Sequence, residues 1–143
     1  MIFKTSLRSS VNMFALVSSV IILTNLSVRA TAACEKINRL YIDPEVILDK
    51  KSRTAGYRII DARAVKSRDF REFYFVQYKI SDPQGQIIFP MFAMNKPLSS
   101  SFGVIYSMDN LAKNISGYGD GRRTKAKFSS TDHGYAEASS CLK

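Results

Sequence analysis

The sequence of 143 residues predicts a mainly β domain with one helix. Three observations predict this fold class: two apolar, aromatic-rich segments are joined by a turn sequence, a later segment has apolar residues at helical spacing, and alternating residues return after it. An N-terminal segment with the pattern of an export signal precedes them. The folded part then has about 110 residues, which is enough for one domain with a modest core.

The N-terminal segment has the order of a secretory signal peptide. A basic start without acids is followed by an apolar stretch over residues 13–26 and by small residues over 30–33. This order is typical of export signals, and 14 apolar residues are short for a membrane span. We therefore expect residues 1–33 to be a signal peptide and residues 34–143 to be a single secreted or periplasmic domain.

Cysteine usage agrees with export. Cys34 and Cys141 are the only two cysteines, and they lie near the two ends of the predicted mature chain. In an oxidising compartment such a pair is most simply a disulfide. The alternative is a lipid on Cys34, as the first residue of a bacterial lipoprotein, which would leave Cys141 unpaired and would be the one reason to expect membrane attachment.

The strands are assigned from alternating apolar and polar residues. A short strand is expected within residues 37–42, and longer ones at 57–66, 72–80 and 86–94. Between the last two, Asp82-Pro83-Gln84-Gly85 predicts a hairpin turn, because proline presets one φ and glycine supplies a positive one. Pro90 cannot donate to a ladder, so the third long strand must be an edge or be broken there. Residues 50–56 are expected to be a charged loop.

The helix is expected within residues 99–117. Its apolar residues recur at helical spacing, a serine of 99–101 can cap its start, and Gly117 stands just past its end. After it, alternation predicts a strand over 122–130. Residues 135–142 are assigned to a last strand, with a short helix as the alternative.

This element order favours one topology over another. Five strands with a helix between the third and fourth is the connectivity of an OB-like barrel. A cystatin-like sheet with one packed helix is the alternative.

Basic residues are the most informative polar feature. The chain has a net charge of +9, and from residue 34 onward 18 basic residues against 12 acidic ones leave +6. A stripe on and beside the predicted 122–130 strand supplies the candidate binding residues, which are Arg122, Arg123, Lys125 and Lys127. A second cluster comprises Lys50, Lys51, Arg53 and Arg58. Such stripes bind phosphate, sulfate, sialic acid or anionic lipid through charge, although a solvated outer face has the same pattern. Export argues against a nucleic acid partner.

The sequence lacks the residues and motifs that would indicate an enzyme. His133 is the single histidine, and Asp132 beside it would be its orienting partner in a catalytic role. Because neighbouring residues in a turn rarely meet productively, an exposed turn histidine is the favoured interpretation. No hydrolase, zinc or phosphate-loop motif appears. We therefore expect no enzyme, no metal and no cofactor.

Part of the chain resembles a known family. Between Gln86 and Ser130, the strand IIFPMFAMN, a Ser-rich link, the helix SFGVIYSMDNLAKNISG and the strand RRTKAKFSS resemble the core of the OB-fold B subunits of subtilase-cytotoxin and pertussis-like toxins and their uncharacterised secreted relatives. The resemblance implies a secreted domain that assembles as a homo-oligomer and binds glycans. The single cysteine pair departs from the arrangement expected of those toxins. Their glycan-contacting serine motif has no match here, so no binding residue is carried over.

The sequence thus predicts a non-enzymatic binding module that recognises a glycan or a protein partner. The alternative is a periplasmic or envelope lipoprotein with a structural role.

Overall fold

The computed structural model describes residues 33–143, which form a six-stranded antiparallel sheet with short helices on both faces. Apart from Ala33, the predicted signal peptide lies outside the described residues. The strands are β1 (Glu35–Lys36), β2 (Arg58–Lys66), β3 (Tyr74–Ser81), β4 (Ile87–Ile88), β5 (Met91–Met94) and β6 (Ile105–Ser107). The helices are α1 (Pro44–Ile47), α2 (Lys50–Ala55), α3 (Asn110–Ser116) and α4 (Tyr135–Ser139), with 3-10 helices at Arg39–Tyr41 and Gly121–Arg123. The prediction of an α+β, mostly β domain is confirmed.

The centre of the sheet is β3. It pairs with β2 along nearly its whole length on one side, and with β4 and β5 on the other. The hairpin turn is present, with Gly85 at φ 80° and the Asp82 carboxylate accepting from the amides of Gln84 and Gln86. The strand predicted over 86–94 is broken into β4 and β5 at Pro90, whose carbonyl still accepts from the amide of Tyr78 at 3.0 Å. The missing proline N–H is the physical cause of the break.

Both faces of the sheet are buried. Alternate residues of β2, β3 and β5 lie on opposite faces and pack into two separate cores. The first core packs under α1, α3 and the N-terminal segment, and its buried strand members are Ala62, Ala64, Val76, Tyr78, Ile80, Phe92, Met94 and Ile105. The second packs under α4 and the segment after α3, and its strand members are Val65, Phe75, Met91 and Ala93. Alternation along each strand thus supplies two faces rather than one core and one solvated surface.

The described strands do not close into a barrel. The order is β1-β2-β3-β5-β6, with β4 beside β3, so that β1 and β6 are two open edges. Closure of an OB barrel needs further strands after the helix. The two segments assigned to that role are not strands in this structure.

The first of these segments, 122–130, starts in a 3-10 helix and continues as turns. Gly121 packs so closely that an added Cβ would lie 3.1 Å from the Met108 sulfur, and its carbonyl accepts from the amides of Thr124 and Phe128. These bonds fold the segment back on itself as turns instead of pairing it with a neighbouring strand. The alternation would turn Thr124, Ala126 and Phe128 inward, but only Phe128 is buried and Ala126 is exposed.

The second segment contains α4 rather than the favoured strand, so the helical alternative is correct. Ala136, Glu137 and Ala138 are good helix formers, and the Ser139 and Ser140 hydroxyls donate back to carbonyls of the same helix. Gly134, with φ 103°, enters the helix where a Cβ would lie 2.9 Å from the Lys66 carbonyl oxygen. A glycine is therefore needed at this position, because any side chain would collide with the Lys66 carbonyl.

The helix expected over 99–117 is shorter than predicted. It starts at Asn110, where the Asp109 carboxylate caps it by accepting from the Ala112 amide at 2.7 Å, and it ends at the predicted Gly117, with φ 73°. Residues 105–107 pair with β5 as β6 instead, since a β-branched and an aromatic residue lie there. Over a segment as short as residues 105–107, helical and strand spacing of apolar residues look alike. The sequence pattern therefore did not show that the helix begins only at Asn110.

Two further assignments were wrong in the N-terminal half. Residues 50–55 are α2 rather than a loop, capped by the Asp49 carboxylate and ended by Gly56 in the left-handed conformation. Residues 39–41 form a 3-10 helix rather than a strand, and only residues 35–36 pair with β2. Each of these helices begins with an N-cap whose side chain accepts from a backbone amide, Asn38 for the 3-10 helix and Asp49 for α2.

Cys34 and Cys141 form a disulfide, with their Cα atoms 5.9 Å apart. It fastens the residue before β1 to the turn after α4. The fully buried amide of Gln77 holds the same turn, since its nitrogen donates to the Ser139 carbonyl at 2.7 Å and its oxygen accepts from the Leu142 amide at 3.1 Å. A buried side chain of the central strand thus holds the backbone on both sides of Cys141.

Candidate functional site

The segment from Gly121 to Phe128, called the basic loop below, carries all four predicted binding residues. It enters from Asp120, which bridges to Ser107 of the edge strand β6. It leaves through Phe128, whose ring is 2% exposed and lies 4.4 Å from the Phe70 ring and 4.9 Å from the Phe73 ring by their centroids. The loop is therefore irregular in shape but fixed at both ends.

The predicted residues divide into two kinds. The Arg122 guanidinium donates from Nε to Asp120 Oδ1 at 2.8 Å, from Nη2 to Asp120 Oδ2 at 2.7 Å, and from Nη2 to Asn110 Oδ1 at 3.1 Å. Its charge is matched, so it holds the loop against α3. Arg123, Lys125 and Lys127 are exposed, and none of them forms an ion pair within residues 33–143.

A tight turn carries the two lysines of the basic loop, Lys125 and Lys127. The Lys127 amide donates to the Thr124 carbonyl at 3.0 Å, and Lys127 has φ 49°, the one non-glycine residue at positive φ in the described chain. Three unpaired cations within five residues can attract an anion by charge. Because the backbone is fixed, binding has to order these side chains but not the loop that carries them.

Two carboxyl groups behind the loop have opposite environments. The bidentate contact from Arg122 holds the pKa of Asp120 down to about 2. Burial raises the pKa of Asp109, against the lowering effect of its bonds from the Ala112 and Met91 amides. Asp120 is therefore the anion that holds Arg122 in place, whereas Asp109 accepts hydrogen bonds from backbone amides of α3 and β5.

Asp120 should make the stability of the protein depend on pH below 4. Its folded pKa of about 2 lies below its usual value of 3.8, so the ionised carboxyl stabilises the fold fully above that value and this contribution is lost as the pH falls toward 2. We expect Asp120→Asn to be less stable than the native protein at pH 7 and to approach it near pH 2, in urea denaturation across this range. A difference that stays constant with pH would contradict the assignment.

His133 is an exposed turn residue, as expected, but its partner is not Asp132. The Asp69 carboxylate accepts from His133 Nδ1 at 2.9 Å and from its amide at 2.7 Å, and these bonds lower the pKa of Asp69. Asp132 instead accepts from the Ser129 amide at 2.7 Å. The contact ties the turn after β2 to the segment before α4.

A groove on the other side of α3 was not anticipated from the sequence. It has a volume of about 370 Å³ and lies between α2, the residue that precedes β2, the β3–β4 turn and α3. Side chains from all four segments line it, among them Lys51, Ser52, Tyr57, Gln84, Leu111 and Asn114. One member of the second basic cluster, Lys51, is the single charged residue of this lining. Because residues 50–56 were predicted to be a loop, the sequence did not indicate that a helix forms one wall of a groove.

Within residues 33–143, no cluster of three or more His, Cys, Asp or Glu residues is arranged to hold a metal ion. In the same part of the chain, every helix is too short or too polar to cross a membrane. Comparison with protein-family models, curated proteins and solved structures gave no match to this chain.

Proposed function

We propose that this protein is an exported, non-enzymatic binding module that recognises an anionic glycan or protein partner through the basic loop. One observation carries the proposal: Arg123, Lys125 and Lys127 are exposed and unpaired in the described structure, on a backbone fixed by Phe128 and the Asp120–Arg122 pair. Arg122, the fourth predicted residue, is a positioning residue here. Its charge is matched by Asp120, so it orders the loop.

Charge reversal at the loop tests the proposal. Lys125→Glu together with Lys127→Glu should abolish retention on a heparin column at physiological salt, because the local charge changes sign. The matched control is Lys50→Glu with Arg58→Glu, which alters net charge equally at exposed positions outside the loop and should remain partly retained. Equal elution of the two double variants would show that net charge, not the loop, governs binding. Arrays of sulfated and sialylated glycans then identify the partner.

The disulfide supports export to an oxidising compartment. It also opposes the alternative of an envelope lipoprotein, since one sulfur of Cys34 cannot carry both a disulfide and a thioether-linked lipid. Native mass spectrometry of protein purified without reductant separates the two. We expect a chain starting at Ala33 or Cys34 that is two hydrogens light. Added lipid mass would establish the lipoprotein alternative, and a ring-sized oligomer would support the assembly implied by the resemblance to the toxin B subunits.

A further inference from the structure

We propose that the groove between α2 and α3 is a binding site for a single sugar ring that carries a carboxylate. The inference shares with the proposed function the premise that the protein binds saccharides, but it uses a different surface. Its basis is the juxtaposition of a cation, two side-chain amides and an apolar wall in one preformed cleft.

Hydrogen bonds donated by backbone amides fix the walls of the groove. The Asp49 amide donates to the Ile115 carbonyl at 2.9 Å, which joins the start of α2 to the end of α3. The Tyr57 amide donates to the Ser52 carbonyl at 3.2 Å, and the Gln84 amide donates to the Asp82 carboxylate at 2.9 Å. The cleft therefore exists before any ligand enters, which lowers the cost of binding.

The lining has the chemistry that a sugar ring requires. Leu111 is 36% exposed and Tyr57 is half-buried, so they offer apolar surface to one face of a ring. Gln84 and Asn114 are exposed, and their side-chain amides form no hydrogen bond within residues 33–143. An amide both donates and accepts, which matches the paired donor and acceptor character of hydroxyl groups.

Charge selects the class of sugar. Lys51 is the one charged side chain in the lining, and the nearby Asp49 carboxylate lies outside the lining, where it accepts from the Ser52 amide. A volume of about 370 Å³ lies at the small end of the range for ligand pockets, roughly 300–1,000 Å³. Together these features favour one acidic ring over a neutral sugar or an extended chain.

The test is a titration of the isotope-labelled protein followed by amide NMR, with D-glucuronic acid as probe. D-glucose serves as the ring-only control and acetate as the carboxylate-only control. We expect glucuronic acid to shift the side-chain amides of Gln84 and Asn114 and the backbone amide of Ser52, more strongly than either control at equal concentration. The basic loop should not respond.

A matched pair of variants locates the charge. Lys51→Gln should weaken glucuronic acid binding at least about fivefold, whereas Lys50→Gln, a neighbour on α2 outside the lining, should leave it unchanged. Equal loss in both variants, equal shifts by glucose, or shifts confined to the basic loop would each overturn the inference. Failure here leaves the heparin result untouched, so the two proposals fail separately.

Discussion

Replacing both cysteines with serine is expected to lower the free energy of unfolding by about 4–5 kcal/mol, because the disulfide closes a loop with a sequence separation of 107 residues. The cross-link restricts the unfolded chain, and the restriction grows with loop length. Chemical denaturation of the Cys34→Ser/Cys141→Ser variant against the oxidised native protein measures the effect.

Two controls separate the cross-link from the side chains. Either single serine variant, handled as a monomer, should be as unstable as the double variant, since one missing sulfur abolishes the bond. Native protein unfolded in the presence of reductant should behave in the same way. A loss below about 1 kcal/mol would mean that residual structure already restrains the unfolded chain when the disulfide is absent.

Replacing Phe128 with alanine is expected to cost about 3–5 kcal/mol, because it leaves a cavity in the second core. The ring is 2% exposed and lies within 6.3 Å, between centroids, of the rings of Phe70, Phe73, Phe75 and Tyr106. The same residue ends the basic loop, so retention on heparin should fall as the loop loses its anchor. Urea denaturation and the heparin column measure the two effects.

Phe102→Ala is the matched control for this substitution. The Phe102 side chain is 66% exposed, so the same change in residue type should shift stability by less than about 0.5 kcal/mol. Comparable losses in the two variants would contradict the place given to Phe128 in the core.

Much of the strand framework could be predicted from the sequence, because long alternating segments specify it locally. β2, β3 and the hairpin to β5 lie where apolar alternation and the Asp82-Pro83-Gln84-Gly85 turn indicate them. Pro90 breaks the strand because its ring leaves it without a backbone N–H to donate. The basic residues could also be selected as a group, because their spacing in the chain keeps them together in any conformation.

The short elements were harder, since local patterns there compete. Alternation in residues 122–130 resembled a strand, but the carbonyl of Gly121 and the carboxylate of Asp120 close the segment into turns. Arg122, which was predicted to bind a partner, is instead the matched ion-pair partner of Asp120. No periodicity shows which carboxylate an arginine will meet.

What the sequence by itself determined is the class of the domain, its central strands, its cysteine pair and its basic character. The tertiary structure decided that the sheet stays open, that both of its faces are buried, and which cations remain unpaired. It also created the groove, whose walls come from residues 51–57, 83–84 and 111–115. The physical reason is the range of the interactions: strand patterns and turns are encoded by neighbours in the chain, whereas ion pairs, cavities and sheet edges depend on segments brought together only by folding.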